Sequence, residues 1–116
     1  MTLAITQGHQ AARNAASMAY ADSGPGNSRL RLYDGSDVFL GACLLAKPCA
    51  ELQADGTLLL LPSPDPEIAV ATGVAVRVEW CDGAGAVIAY GTVTDAAGDG
   101  DFLLVGADGT QIYAGA

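Results

Sequence analysis

The chain has 116 residues and a mass of 11.7 kDa, enough for one domain with a core of its own. Hydrophobic residues make up 51% and charged residues 16%, which excludes a disordered chain built on low hydrophobicity and high charge. The net charge of −8 repels phosphate backbones and argues against a nucleic-acid partner. Charge is unevenly spread along the sequence. Residues 1–47 carry four basic against three acidic side chains, whereas 48–116 carry Arg77 alone against ten acids. The two parts either face different neighbours or interleave on folding. Apolar runs are short, as at 58–61, well below the ~20 residues of a membrane helix, so no membrane partner is expected. The first ten residues have no basic stretch followed by an apolar one, so no secretory signal is expected.

The chain begins with a helical pattern over 3–21. Alanines at 11, 12, 15, 16, 19 and 21 favour helix, Thr6 is placed to cap its start, and Gly24-Pro25-Gly26 stops it. Its apolar face, with Leu3, Ile5 and Met18 among alanines, is thin, so the helix is expected to dock on a neighbour or to act as an arm. Residues 1–28 are accordingly read as helix, arm and linker, and 29–116 as a β domain.

From 29 the period switches to two. Leu30 and Leu32 share one face; Arg29, Arg31 and Tyr33 share the other. Asp34-Gly35 is a turn, and 38–45 is a strand with a bulge expected at Gly41 and an end at Lys47-Pro48. Residues 50–53 are expected to pair weakly. After the Asp55-Gly56 turn, 57–61 reads as a fully buried strand. Pro62, Pro64 and Pro66 make a rigid loop unsuited to a sheet interior and expected to cross between sheets. Residues 74–80 alternate, predicting Val74, Val76, Val78 and Trp80 inward and Ala75, Arg77 and Glu79 outward. Asp82-Gly83-Ala84-Gly85 is a hairpin turn returning into an antiparallel strand over 86–93. An acidic loop over 95–100, a strand over 102–105, a turn at Asp108-Gly109 and a short strand over 111–113 complete the chain. About seven short strands with Asp-Gly turns predict an all-β fold, an antiparallel sandwich or jelly-roll-like domain carrying an N-terminal helix.

Candidate chemistry is sparse. Asp95, Asp99 and Asp101 gather carboxylates in a glycine-containing loop, but the spacing is not that of an EF-hand and no closing glutamate follows. Cys43, Cys49 and Cys81 are an odd count without a C-x-x-C pair, as expected of free buried thiols in a reducing cytosol. With His9 the only histidine, a zinc site has no good ligand set. No nucleophile–base motif is present and no phosphate-binding glycine loop leads into a helix, so no enzyme activity, cofactor or metal is expected. Arg29, Arg31 and Tyr33 are residue types that anchor interfaces. With Leu3, Ile5 and Arg13 of the N-terminal segment they form the candidate partner-contact set.

The order of motifs resembles a family of small β-rich structural proteins, of decoration or cement type, encoded by tailed bacteriophages and prophages. The shared elements are the alanine-rich segment 11–21, the strand and turn 30–35, Leu44-Leu45-Ala46, Glu51-Leu52, the segments 55–60 and 71–78, Asp82-Gly83, and Gly91-Thr92-Val93. They span residues 11–106. Relatives continue through a further strand, which this chain is expected to lack or to receive from a neighbouring subunit. The resemblance implies a non-enzymatic virion protein assembled in the bacterial cytoplasm, most simply a head decoration protein bound to the major capsid protein. A homodimer or homotrimer is expected on symmetry grounds. A tail or connector component and a small glycan-binding module are the alternatives.

Overall fold

A computed structural model describes residues 6–64, 69–95, 97–98, 100–104 and 110–112. It is mostly β with one N-terminal helix, α1, at Gln7–Ala21. Thr6 caps α1 as the sequence predicts, its hydroxyl accepting from the His9 amide at 3.1 Å. The helix ends at Asp22, whose amide returns to the Met18 carbonyl, and Gly24 follows with φ +96°. Residues 3–5 of the expected helix lie outside the described residues.

The strands are β1 Arg29–Tyr33, β2 Phe39–Leu52, β3 Leu58–Pro62, β4 Gly73–Val74, β5 Arg77–Cys81, β6 Val87–Asp95, β7 Phe102–Leu104 and β8 Gln111–Ile112. Six form one curled mixed sheet, a half-barrel, in the order β3-β2-β1-β5-β6-β7; β4 and β8 form a separate two-stranded ladder. The curl encloses Leu30, Leu32, Leu40, Leu45, Val78, Trp80 and Val93. Met18 and Ala21 of α1 pack on this core near β2, and Ala71, Ala75 and Ile112 pack on it from the segments around β4 and β8.

Several expectations need correction. The second strand does not stop at Lys47-Pro48 but runs to Leu52 and takes in the segment expected to pair weakly. Its first half pairs with β1 and its second half with β3. Between them only the ladder is interrupted. Pro48 has no N–H to give, and the Cys49 amide donates instead to the Asp22 carboxylate at 3.0 and 3.2 Å. The extra residue expected at Gly41 is its neighbour Leu40, since Leu32 pairs with Gly41 and Tyr33 with Phe39. Gly41 meets a different demand, because a Cβ there would stand 2.9 Å from the Ala69 Cα.

The run of leucines in β3 is not fully buried. Leu58 and Leu60 pack on the core, and Leu59 is 52% exposed, because the core lies on one face of the sheet and alternation turns Leu59 to the other. Pro62 lies inside this edge strand rather than in the loop after it. The phase predicted for 74–80 holds over 77–80, with Val78 and Trp80 buried and Arg77 and Glu79 on the opposite face, but not over 74–76. Val74 and Val76 are exposed and Ala75 is buried, because β4 and β5 are separate strands and the phase slips at 76–77. Finally, β7 runs parallel to β6, so the sheet is not wholly antiparallel. A parallel pair ordinarily needs a crossover of a dozen residues or more. Six suffice here because the paired stretch is three residues long and the chain doubles back only from Asp95 to the level of Val93.

Candidate functional site

The candidate residues on β1 share the face of the sheet opposite the core. Leu30 and Leu32 are buried, while Arg29, Arg31 and Tyr33 are half-buried on the other side. The register with β5 sets Arg31 opposite Glu79 and Tyr33 opposite Arg77; the register with β2 sets Tyr33 opposite Phe39. The result is a connected cluster. The Tyr33 hydroxyl donates to Glu79 Oε1 at 2.7 Å, and the Arg77 guanidinium lies over the Tyr33 ring, 4.2 Å from its centroid. Phe39 packs at a tilt against the same ring, centroids 5.6 Å apart. Arg77 donates from Nε to Asp37 Oδ1 at 3.0 Å and from Nη1 to Glu79 Oε2 at 3.4 Å.

Asp37 reaches Arg77 from the β1–β2 turn with φ 62°, a conformation uncommon in a residue other than glycine. The turn that holds it there is built by Asp34, whose Oδ1 accepts from the amides of Ser36 and Val38 at 2.8 and 2.9 Å. Burial, and then its hydrogen bond and proximity to Glu79, push the Tyr33 phenol above its usual range. The cluster therefore presents a neutral phenol, with the Arg77 guanidinium set between the carboxylates of Asp37 and Glu79.

The other candidates lie elsewhere. Arg13 is exposed on α1, which packs on β2 and not on this face. Leu3 and Ile5 fall outside the described residues. Arg77, Glu79, Asp37 and Phe39 were not in the predicted set, although Arg77 and Glu79 were placed outward together. Alternation shows that two residues share a face, but only the strand register, across 46 residues of sequence, brings Glu79 to Tyr33.

The acidic loop turns its carboxylates on itself. Asp95 Oδ1 accepts from the amides of Ala97 and Gly98, and Asp101 Oδ2 accepts from the Thr92 amide at 3.0 Å, tying β7 to β6. Asp99 lies outside the described residues. Among the described residues no three His, Cys, Asp or Glu side chains come together as a metal site. Cys49 and Cys81 are fully buried, Cys43 partly so. Burial, with the charge of Asp22 adding to it, pushes the Cys49 thiol up to about 12, and burial likewise raises Cys81. Trp80 is 5% exposed and edge-on to Phe102, so it offers no platform for stacking a ligand. No protein-family model, curated protein or solved structure matches this chain.

Proposed function

We propose that this protein is a non-enzymatic structural component of a tailed-phage virion, a head decoration or cement protein that binds the capsid lattice as a dimer or trimer. The observation that carries the reading is the ordered series of motifs over residues 11–106. Three of them are Asp-Gly turns whose aspartates fold the chain locally. Asp34 and Asp82 each accept two turn amides through Oδ1, and Asp55 accepts from the Thr57 amide and hydroxyl. The similarity therefore resides in residues that build a scaffold, as suits a protein whose task is to be stable and to dock. On this reading the half-barrel, with the β4–β8 ladder against its core, is a reduced sandwich of jelly-roll type with one parallel pair at its edge. The Tyr33–Arg77–Phe39 face is its lattice contact.

Quantitative mass spectrometry of purified virions split into heads and tails tests the reading. Hundreds of copies in the head fraction, and heads that rupture at lower temperature once the protein is stripped, are the expected results. A few copies confined to tails would replace decoration by a tail or connector role. Absence from both fractions would overturn the virion reading.

A further inference from the structure

The six-stranded sheet ends on one side at β3, which reads Leu58-Leu59-Leu60-Leu61-Pro62. Natural edge strands are usually blunted by lysine or proline, by a bulge or by shortness, and β3 has a proline only at its last residue. The opposite edge, β7, is only three residues long. The β3 strand is five residues, carries no charge, and leaves Leu59 52% exposed.

The hydrogen-bond pattern shows which backbone groups this edge offers. At one end the Gln53 amide donates to the Thr57 carbonyl at 2.8 Å; at the other the Ser63 amide donates to the Leu44 carbonyl at 2.9 Å. Backbone groups of an antiparallel strand alternate sides. Residues 57, 59, 61 and 63 therefore turn their backbone groups toward β2, and Leu58, Leu60 and Pro62 turn theirs to the outer edge, where no strand among the described residues pairs with them. Pro62 fits this assignment, since an outward position is one where its missing N–H costs the inner ladder nothing. The edge thus presents the N–H and C=O of Leu58, the N–H and C=O of Leu60, and the C=O of Pro62.

We infer that β3 is a pairing edge for a second copy of this chain, joined antiparallel about a two-fold axis at Leu60. In that register Leu60 meets the Leu60 of the second copy and exchanges two hydrogen bonds with it. Each Leu58 amide donates to the Pro62 carbonyl across the axis. Every outward donor of the strand is then used, and the symmetry closes the assembly at two chains instead of an open fibre. Leu59 comes opposite Leu61 of the second copy, which covers its exposed side chain.

Charge permits this occupant at β3. Each chain carries −8, so most arrangements of two copies set acid against acid. Here the uncharged strand is central. On β2, Glu51 lies opposite Leu59, and the stretch containing Lys47 lies opposite Leu61. The antiparallel flip puts the Glu51 end of one copy in line with the Lys47 end of the other. They are three strand spacings apart, about 14 Å and beyond a Debye length, so the charged side chains of the two β2 strands are screened from one another across the seam. The inference stands independently of the virion reading.

The test is sedimentation of the full chain over a concentration series, beside the Leu59→Lys variant and amide hydrogen exchange of the wild type. A dimer is expected, with the variant dissociating at least tenfold more readily. The Leu58 and Leu60 amides are expected to be protected in the dimer and to lose protection on dilution, while Leu59 and Leu61 stay protected throughout. A monomer at all concentrations, a trimer, or a dimer in which Leu58 and Leu60 exchange freely would overturn the inference. Protection of these two amides only within virions, with a monomer in solution, would also overturn it and assign the edge to a strand donated by another protein. If Leu59→Lys fails to fold, the exchange pattern of the wild type decides alone.

Discussion

Ser28 shows how much one side chain can organise. It is fully buried, donates from Oγ to the Cys81 carbonyl at 2.6 Å, and accepts from Trp80 Nε1 at 2.9 Å. It thereby satisfies the polar end of the largest aromatic in the core. Ser28→Ala leaves the indole N–H buried without an acceptor and is expected to lower stability by about 1–3 kcal/mol in urea unfolding. Combined with Trp80→Phe, which removes that donor, the loss should be clearly less than additive. The thiols make a second prediction at this scale. Cys49 is raised from 9.0 to about 12 and Cys81 is raised as well. The folded state holds these protons more tightly than the unfolded chain, so stability is intact below pH 9 and falls as pH rises toward 12. The slope is at most about 1.4 kcal/mol per pH unit for each thiol. Urea midpoints at pH 8 and pH 10.5 should show the fall, and Cys49→Ala should flatten it.

At the scale of elements, identical dipeptides carry different demands. Gly35 and Gly83 both follow an aspartate in a turn, yet an added Cβ at Gly35 meets nothing within 4 Å. At Gly83 it would collide with the backbone carbonyls of Gly26 and Ser23, because the β5–β6 turn is laced to the segment after α1 by the Gly26–Gly83 and Gly83–Ser23 hydrogen bonds. Thermal unfolding should therefore leave Gly35→Ala within about 0.5 kcal/mol of the wild type and cost Gly83→Ala about 2 kcal/mol or more. The helix depends on another glycine turn. Asn14 Nδ2 donates to the Gly56 carbonyl at 2.6 Å and Gln7 Nε2 to the Ala54 carbonyl at 2.9 Å, seating α1 on the β2–β3 turn. Gly56 has φ +87°, and a Cβ there would press on the Gln7 carbonyl at 3.1 Å. Gly56→Ala should cost about 1–2 kcal/mol from backbone strain alone, and helical circular dichroism should melt ahead of the sheet signal. Failure of the helix to loosen first would show that Met18 and Ala21, not the turn contacts, hold it.

For the whole molecule, the uneven charge of the sequence is partly reconciled by the fold. Arg77, the lone cation of 48–116, pairs with Asp37 from the basic part, and Arg31 sits in register with Glu79. Through Arg31 and Glu79 the basic and acidic parts meet on one face of the sheet at β1 and β5. On the proposed reading the lattice contact is the Tyr33–Arg77–Phe39 face. Exposed ion pairs of this kind are weak, roughly 0.2–1 kcal/mol each. Arg77→Ala is thus expected to leave the melting temperature nearly unchanged while reducing occupancy on heads, measured as copies per particle. Unchanged occupancy would remove this face from the contact.

Much of the local structure was readable from residues alone. The Thr6 cap, the helix body, the β1 alternation, the Asp-Gly turns at 34, 55 and 82 and the inward Val78 and Trp80 depend on chemistry within a few neighbouring positions. The candidate site was half legible, since Arg29, Arg31 and Tyr33 share a face by periodicity alone. What pairs with them was settled by register between strands more than forty residues apart. The continuation of β2 past Pro48 was likewise decided from afar, by Asp22 taking the Cys49 amide, and the exposure of Leu59 by the core lying on only one face of β3. Short-range geometry is written in the side chains that make it. Burial and pairing belong to whichever distant segment arrives alongside, and only the tertiary structure contains that.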